Sequence, residues 1–272
     1  AGGYINSRFK ANKVMFDATV NYNNGKIWPR WSTSDREQED LTGGSNHLMR
    51  SHSRYKSGWD YVGANFNMSW EPDSLNLFTL SGYYSFNSWG NDSRENRTMF
   101  GNDMSVLWNM NRNGRNRGRY NGFGFSASYQ HTFGREDHTL VASYEYDLGH
   151  NNHFNDYVTE AIEGEITEAP WSRSNELNNY GTHVFQIDYS NKLNKHNLIE
   201  AGAKMNLNPT DADTRPYFGT SPDDAVMNES LRVKLSQFKD IYAAYVSWSG
   251  TFDKWNLKTG LRYEHTRMGL KY

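Results

Sequence analysis

The sequence predicts an all-β chain, an antiparallel up-and-down transmembrane β-barrel with about ten strands forming one unit over residues 1–272. Three observations carry this. Apolar residues recur every second position, hairpins recur at a nearly constant interval, and tight turns alternate strictly with long polar connections.

The strands follow in chain order. After Lys13, Val14, Phe16, Ala18, Val20 and Tyr22 share one face, against Met15, Asp17, Thr19 and Asn21 on the other. Val62, Ala64, Phe66, Met68 and Trp70 repeat the pattern, and so do Phe78, Leu80, Gly82, Tyr84 and Phe86. Phe123, Phe125, Ala127, Tyr129 and Phe133 come next, then Leu140, Ala142, Tyr144 and Tyr146. The habit returns in Phe185, Ile187 and Tyr189, in Ile199, Ala201, Ala203 and Met205, and in Leu257, Leu261 and Tyr263.

Short polar turns join these strands in pairs. Taking Asn12, Asp73, Glu136, Lys195 and Asp253 as markers, the intervals are 61, 63, 59 and 58 residues, an internal repeat of hairpins. Pro, Asp, Ser, Gly and Asn at the turns supply the backbone angles that tight reversals need. Between hairpins the sequence predicts long connections over roughly residues 23–46, 89–117, 149–178 and 209–236.

Composition narrows the class further. The chain has no cysteine, which excludes disulfide scaffolds, thiolate metal sites and cysteine nucleophiles. Its net charge of −2 removes the electrostatic case for a nucleic-acid partner. The longest fully apolar run, Ile241 to Val246, is far short of the roughly 18 to 20 residues of a spanning helix. Yet 9 Trp, 18 Tyr and 14 Phe need a surface that is not water. Phe78 to Phe86 is nine residues, near the roughly 9 to 11 with which a tilted strand crosses hydrocarbon. Trp70, Phe133, Tyr189, Trp248, Phe252 and Trp255 gather beside the short turns, where amphipathic rings settle at a lipid interface. In a membrane barrel the short turns face the periplasm and the long connections face outward. A soluble β-sandwich, with these faces pressed into a core, is the competing fold.

The stretch Asp240 to Thr266 (DIYAAYVSWSGTFDKWNLKTGLRYEHT) resembles the barrel of TonB-dependent outer-membrane receptors, in particular the outer-membrane β-barrel family common in Bacteroidota. Phe185 to Asn208 is similar to the preceding hairpin of that family, and Phe9 to Asn24 resembles its first barrel hairpin. The likeness is strongest at Gly260-Leu261-Arg262-Tyr263-Glu264 and Glu200-Ala201-Gly202-Ala203-Lys204. It implies energy-coupled nutrient import through a barrel of about 22 strands, filled by an N-terminal plug domain that engages the TonB energy-coupling complex. No plug, coupling segment or signal peptide is recognisable, so the chain is expected to be the first half of a barrel wall. The alternative is a complete ten-stranded barrel acting as a passive pore or surface enzyme, although Tyr272 falls out of phase with Leu261, Tyr263 and His265 as a terminal insertion signal.

No catalytic constellation, cofactor or metal site is expected. Gly122-Phe123-Gly124 lies inside an alternating strand and opens no helix, so it is not a nucleotide loop. His150, His153 and Asp156 are read as polar residues of a connection rather than metal ligands. Asp188, Glu200, Lys204, Lys258, Arg262 and Glu264 have lumen parity and either hold a plug by breakable polar contacts or pair with one another. Ligand recognition is expected in the outer connections: Trp28 and Trp31 beside the acidic run Asp35, Glu37, Glu39 and Asp40, then Trp108, Trp171, Tyr217 and Phe218. Arg112, Arg115, Arg117 and Arg119 read as a basic hairpin tip, solvated or in contact with lipopolysaccharide phosphates or an anionic ligand.

Overall fold

The computed structural model describes residues 1–25, 31–39, 46–135 and 137–272. Its strands are β1 (Gly2–Ala11), β2 (Val14–Asn24), β3 (Ser32–Glu39), β4 (Asn46–Trp70), β5 (Asn76–Gly101) and β6 (Val106–Thr132). They continue as β7 (His138–Glu163), β8 (Trp171–Asn194), β9 (Asn197–Gly219), β10 (Val226–Met227), β11 (Val233–Phe252) and β12 (Trp255–Lys271). A single 3₁₀ turn, Glu229–Leu231, precedes β11 and is capped by Asn228. All strands belong to one antiparallel sheet, and ten of them form the path β1-β2-β4-β5-β6-β7-β8-β9-β11-β12. Short β3 and β10 pair beside β4 and β9. The sheet is open, with β1 and β12 as its edges.

Register joins the apolar stripes into one band. Phe66 lies opposite Gly82, Leu80 opposite Ala127, Tyr129 opposite Ala142, Ala142 opposite Ile187, and Ile187 opposite Ala203. Ala203 faces Ala244, which faces Tyr263. A one-residue slip in any pair would turn an entire stripe to the wet side, so ladder and hydropathy fix each other.

This band is not a dry core. Leu261 is 73%, Val246 50% and Ile187 46% exposed, while Met110 and Trp171 are the only buried hydrophobics among the described residues. A sandwich would have pressed two such faces together, so that fold is excluded.

The tight turns fall where the sequence predicts them, with Glu136 outside the described residues, and left-handed backbone at Asn12, Gly134, Asp137 and Asp253 lies in three of them. In the turn after β4, Asp73 accepts the backbone N–H groups of Leu75 and Asn76 at 2.8 and 2.9 Å. The Asn76 side-chain amide, and then those backbone bonds, hold its carboxyl below the usual carboxylate range.

The long connections are a correction. Most residues expected to be irregular continue the ladders: β5 and β6 run unbroken to a turn at residues 102–105, and β7 and β8 to residues 164–170. Between β9 and β11 only residues 220–232 leave the main path, and they carry β10 and the 3₁₀ turn. The strands therefore stand far above the apolar band as a hydrogen-bonded extension.

Candidate functional site

Three surfaces are candidates for function: the rim of the apolar band, the polar inner face, and the outer extension.

At the turn end the outward face carries a row of rings. Trp70 stacks on Phe78 at 5.1 Å, and Phe78 on Tyr129 at 4.6 Å. The row continues through Phe133, which stacks on His138 at 4.3 Å, to Tyr189 beside His138 at 5.6 Å. Trp248 and Phe252 follow at 6.0 Å, and Trp255 ends the row on β12, 79% exposed. This is the position of an interfacial aromatic girdle.

On the opposite face glycines make room for tyrosine rings. The Tyr83 ring lies across Gly124 and its hydroxyl donates to Asp147 Oδ1 at 2.7 Å; a Cβ on Gly124 would collide with both. The Tyr245 ring likewise covers Gly202 and its hydroxyl donates to Asp188 Oδ1 at 2.8 Å. Tyr120 and Tyr180 meet through their hydroxyls at 2.7 Å. Hydropathy alternation does not reveal this interlock, because tyrosine and glycine are both compatible with a wet face. The run Gly122-Phe123-Gly124 was its one visible trace.

All six charges expected on the inner face lie there. Lys258 Nζ donates to Glu200 Oε2 at 2.6 Å, and Ser247 Oγ donates to the same oxygen at 3.1 Å. Arg262 Nη2 donates to Glu264 at 2.7 Å along one strand, and Asp188 also accepts from Gln186 at 2.6 Å. No hydrogen-bond or ion-pair partner reaches Lys204 among the described residues.

The residues expected to bind ligand do not converge on one mouth. Trp28 and Asp40 lie outside the described residues. Trp31 is covered by cations, with Lys56, Arg54 and Arg94 at 5.4, 5.5 and 5.7 Å from its ring. Asp35 and Glu37 pair with His52 and Arg50 across the β3–β4 ladder at 2.5 and 2.7 Å, while Glu39 stands opposite Leu48. Trp171 is buried below Arg173 at 5.4 Å and lines the same concavity as Trp31. Trp108 stands opposite Met99 near the β5–β6 tip. Tyr217 and Phe218 sit side by side on β9, so they point to opposite faces.

Two further expectations are corrected by the extended ladders. His150, His153 and Asp156 lie in β7, where alternation sends His153 to the face opposite the other two. His153 contacts Asn116 at 3.0 Å, and Asp156 takes the Arg173 guanidinium, with one contact at 2.8 Å. That contact raises the Arg173 pKa against the opposing effect of burial. No cluster able to hold a metal forms among the described residues. The arginines are not a tip either. Arg115, Arg117 and Arg119 lie mid-strand on the outward face, whereas Arg112 is on the inner face with its guanidinium 3.8 Å above the Tyr157 ring.

At the top of β9, Asp213 accepts from Arg215 at 2.6 and 2.8 Å and from Arg232 at 2.9 and 3.0 Å. These donors hold its carboxyl far below the ordinary range. Asp224 receives both the backbone N–H and the hydroxyl of Thr220 and of Ser221, with the same consequence. The Arg232–Asp213 bonds tie residues 220–232 to the ladder, and those of Asp224 close the start of that segment on itself.

With this geometry in hand, the match to known families is decisive: residues 131–272 match the outer membrane protein beta-barrel family. The chain belongs to that family. As an outer-membrane β-barrel protein it crosses the membrane repeatedly with strands and meets lipid through the apolar band. No curated protein matches the chain.

Proposed function

We propose that the chain forms the wall and part of the extracellular mouth of a TonB-dependent outer-membrane transporter, a non-enzymatic importer of a scarce nutrient such as a ferric chelate, an oligosaccharide or a peptide. The observation that carries this reading is the inner face. A wall facing open water needs no charges, yet this one presents Asp188, Glu200, Lys204, Lys258, Arg262 and Glu264 on neighbouring strands. Exposed polar contacts of this kind are individually weak, which suits a plug domain that must be held and then released. The resemblance of three hairpins to TonB-dependent receptors supports the same reading. The unpaired edges at β1 and β12 support a wall continued by further strands, toward about 22 in all.

Energy dependence tests the proposal. In cells carrying the intact protein, uptake of its nutrient should stop when the proton-motive force is collapsed or the coupling complex is deleted. Uptake that continues unchanged would identify a passive pore instead.

A further inference from the structure

Above the apolar band, the outward face changes character abruptly. Two adjoining concavities of about 630 and 740 Å³ share Lys56, Asp92 and Arg115. Their walls carry Lys56, Arg94, Arg115, Arg117, Arg119 and Arg173, six cations against the two carboxylates Asp92 and Asp156. In a chain of net charge −2, this is a pronounced concentration of positive charge.

Register decides which way the trough faces. Lys56 pairs with Asp92, Asp92 with Arg115, Gly90 with Arg117, and Ser88 with Arg119. The ladders shift register only beyond these residues, at Asn46/Leu48 and Met99/Phe100. These positions therefore continue the stripes of Val62, Phe86 and Phe123, and a solute moving through the lumen does not meet them. Their partner lies beside the barrel, at the level of the outer leaflet's polar layer.

Height narrows the partner. Arg119, Arg117 and Arg115 precede Phe123 by four, six and eight residues, about 13, 20 and 26 Å along the strand and, for a strand tilted by about 40°, about 10, 15 and 20 Å in height. A phospholipid headgroup layer is only about 5 to 8 Å deep, too shallow to reach the upper two. Phosphates carried at several heights on the sugars of a glycolipid match the ladder of guanidinium groups.

The side chains are also available. Arg117 is held by Asp92 at 2.5 Å and Lys56 approaches the same carboxylate at 3.8 Å. No hydrogen-bond or ion-pair partner reaches Arg115 or Arg119 among the described residues. We propose that this trough docks the phosphate groups of a phosphorylated outer-leaflet glycolipid, with Arg115 and Arg119 as the principal ligands and Arg117 and Lys56 held ready by Asp92. The acyl chains of that glycolipid would lie on the apolar band directly below. The proposal depends on the barrel's orientation in the membrane and not on what it transports.

The test uses the full protein in detergent micelles, with a glycolipid phosphorylated on its lipid A and on the sugars above it, and the same glycolipid after phosphatase treatment, as probes. The wild type should bind the phosphorylated glycolipid at least about tenfold more tightly than the dephosphorylated one, the weight of one charge-assisted contact or more. Arg115→Ser with Arg119→Ser should abolish that preference, while Arg115→Lys with Arg119→Lys should keep most of it. Equal wild-type binding to the two lipids would overturn the proposal, independently of how any variant folds. Competition by inorganic phosphate at concentrations equal to the lipid's would overturn it in favour of a free-anion site, and an unchanged preference in a folded Ser variant would overturn the assigned residues.

Discussion

At the scale of single residues the inner wall is set by close approach. Gly124 has no room for a side chain, because the Tyr83 ring and the Asp147 carboxylate already occupy the position of its Cβ. Gly3, on the edge strand, has open space there. Gly124→Val should therefore destabilise the folded barrel by about 1–3 kcal/mol through overpacking, while Gly3→Val should stay within about 0.5 kcal/mol. Unfolding midpoints in detergent compare the two, and equal effects would show that the ring has another place to go. The inner-face charges make a second prediction. Among the described residues no partner reaches Lys204, and Arg262 is held only by Glu264 of its own strand, so both can contact a plug without leaving a buried carboxylate behind. In the intact protein, Lys204→Ala with Arg262→Ala should raise membrane leakage or detergent sensitivity. Wild-type behaviour in both assays would remove these residues from plug retention.

At the scale of elements, the segment over residues 220–232 depends on two carboxylates with depressed pKa values, Asp213 and Asp224. For such groups the folded state gains stability above the unfolded pKa, near 3.8, and loses it as pH falls through the folded pKa. Hydrogen exchange of this segment, corrected for intrinsic rates, should thus be flat from about pH 7 to 4 and rise only in stronger acid. Asp213→Asn should quicken exchange at every pH, since it weakens the hold on both Arg215 and Arg232. Elements also mark where the sequence was legible. The strands within the band, their turns and their faces could all be read, because lipid on one side and water on the other imprint a period of two on hydropathy. Above the band both faces are wet. Asn91, Asp92, Ser93 and Arg94 alternate polar with polar, so the ladder that continues through them leaves no hydropathic mark, although its backbone hydrogen bonds are the same. Hence His150, His153 and Asp156 read as neighbours in a loop when they are divided between two faces of a strand. The basic trough was hidden for the same reason, since only register shows that Lys56 on β4 and Arg115 on β6 flank a common Asp92.

At the scale of the whole molecule, one continuous apolar surface crosses ten strands and is covered by no part of the described chain. A sheet of this kind is stable only when lipid or detergent covers that surface, and the two faces must then respond oppositely to charge. Leu80 and Ser81 are adjacent at mid-band. Leu80 stands between Met68 and Ala127 on the lipid side, and Ser81 between Asn67 and Ser126 on the wet side. Leu80→Arg should destabilise the folded protein by about 2–4 kcal/mol, the cost of an arginine near the bilayer midplane. Ser81→Arg places the same side chain one residue away in a hydrated lumen and should cost less than about 1 kcal/mol. Denaturant unfolding in lipid vesicles measures the difference. Local backbone propensity is almost the same at the two sites, so it cannot produce such an asymmetry; only the medium on each side of the sheet can. Equal penalties would mean that the band does not face hydrocarbon, and the outward assignment of the trough above it would fail together with the membrane orientation.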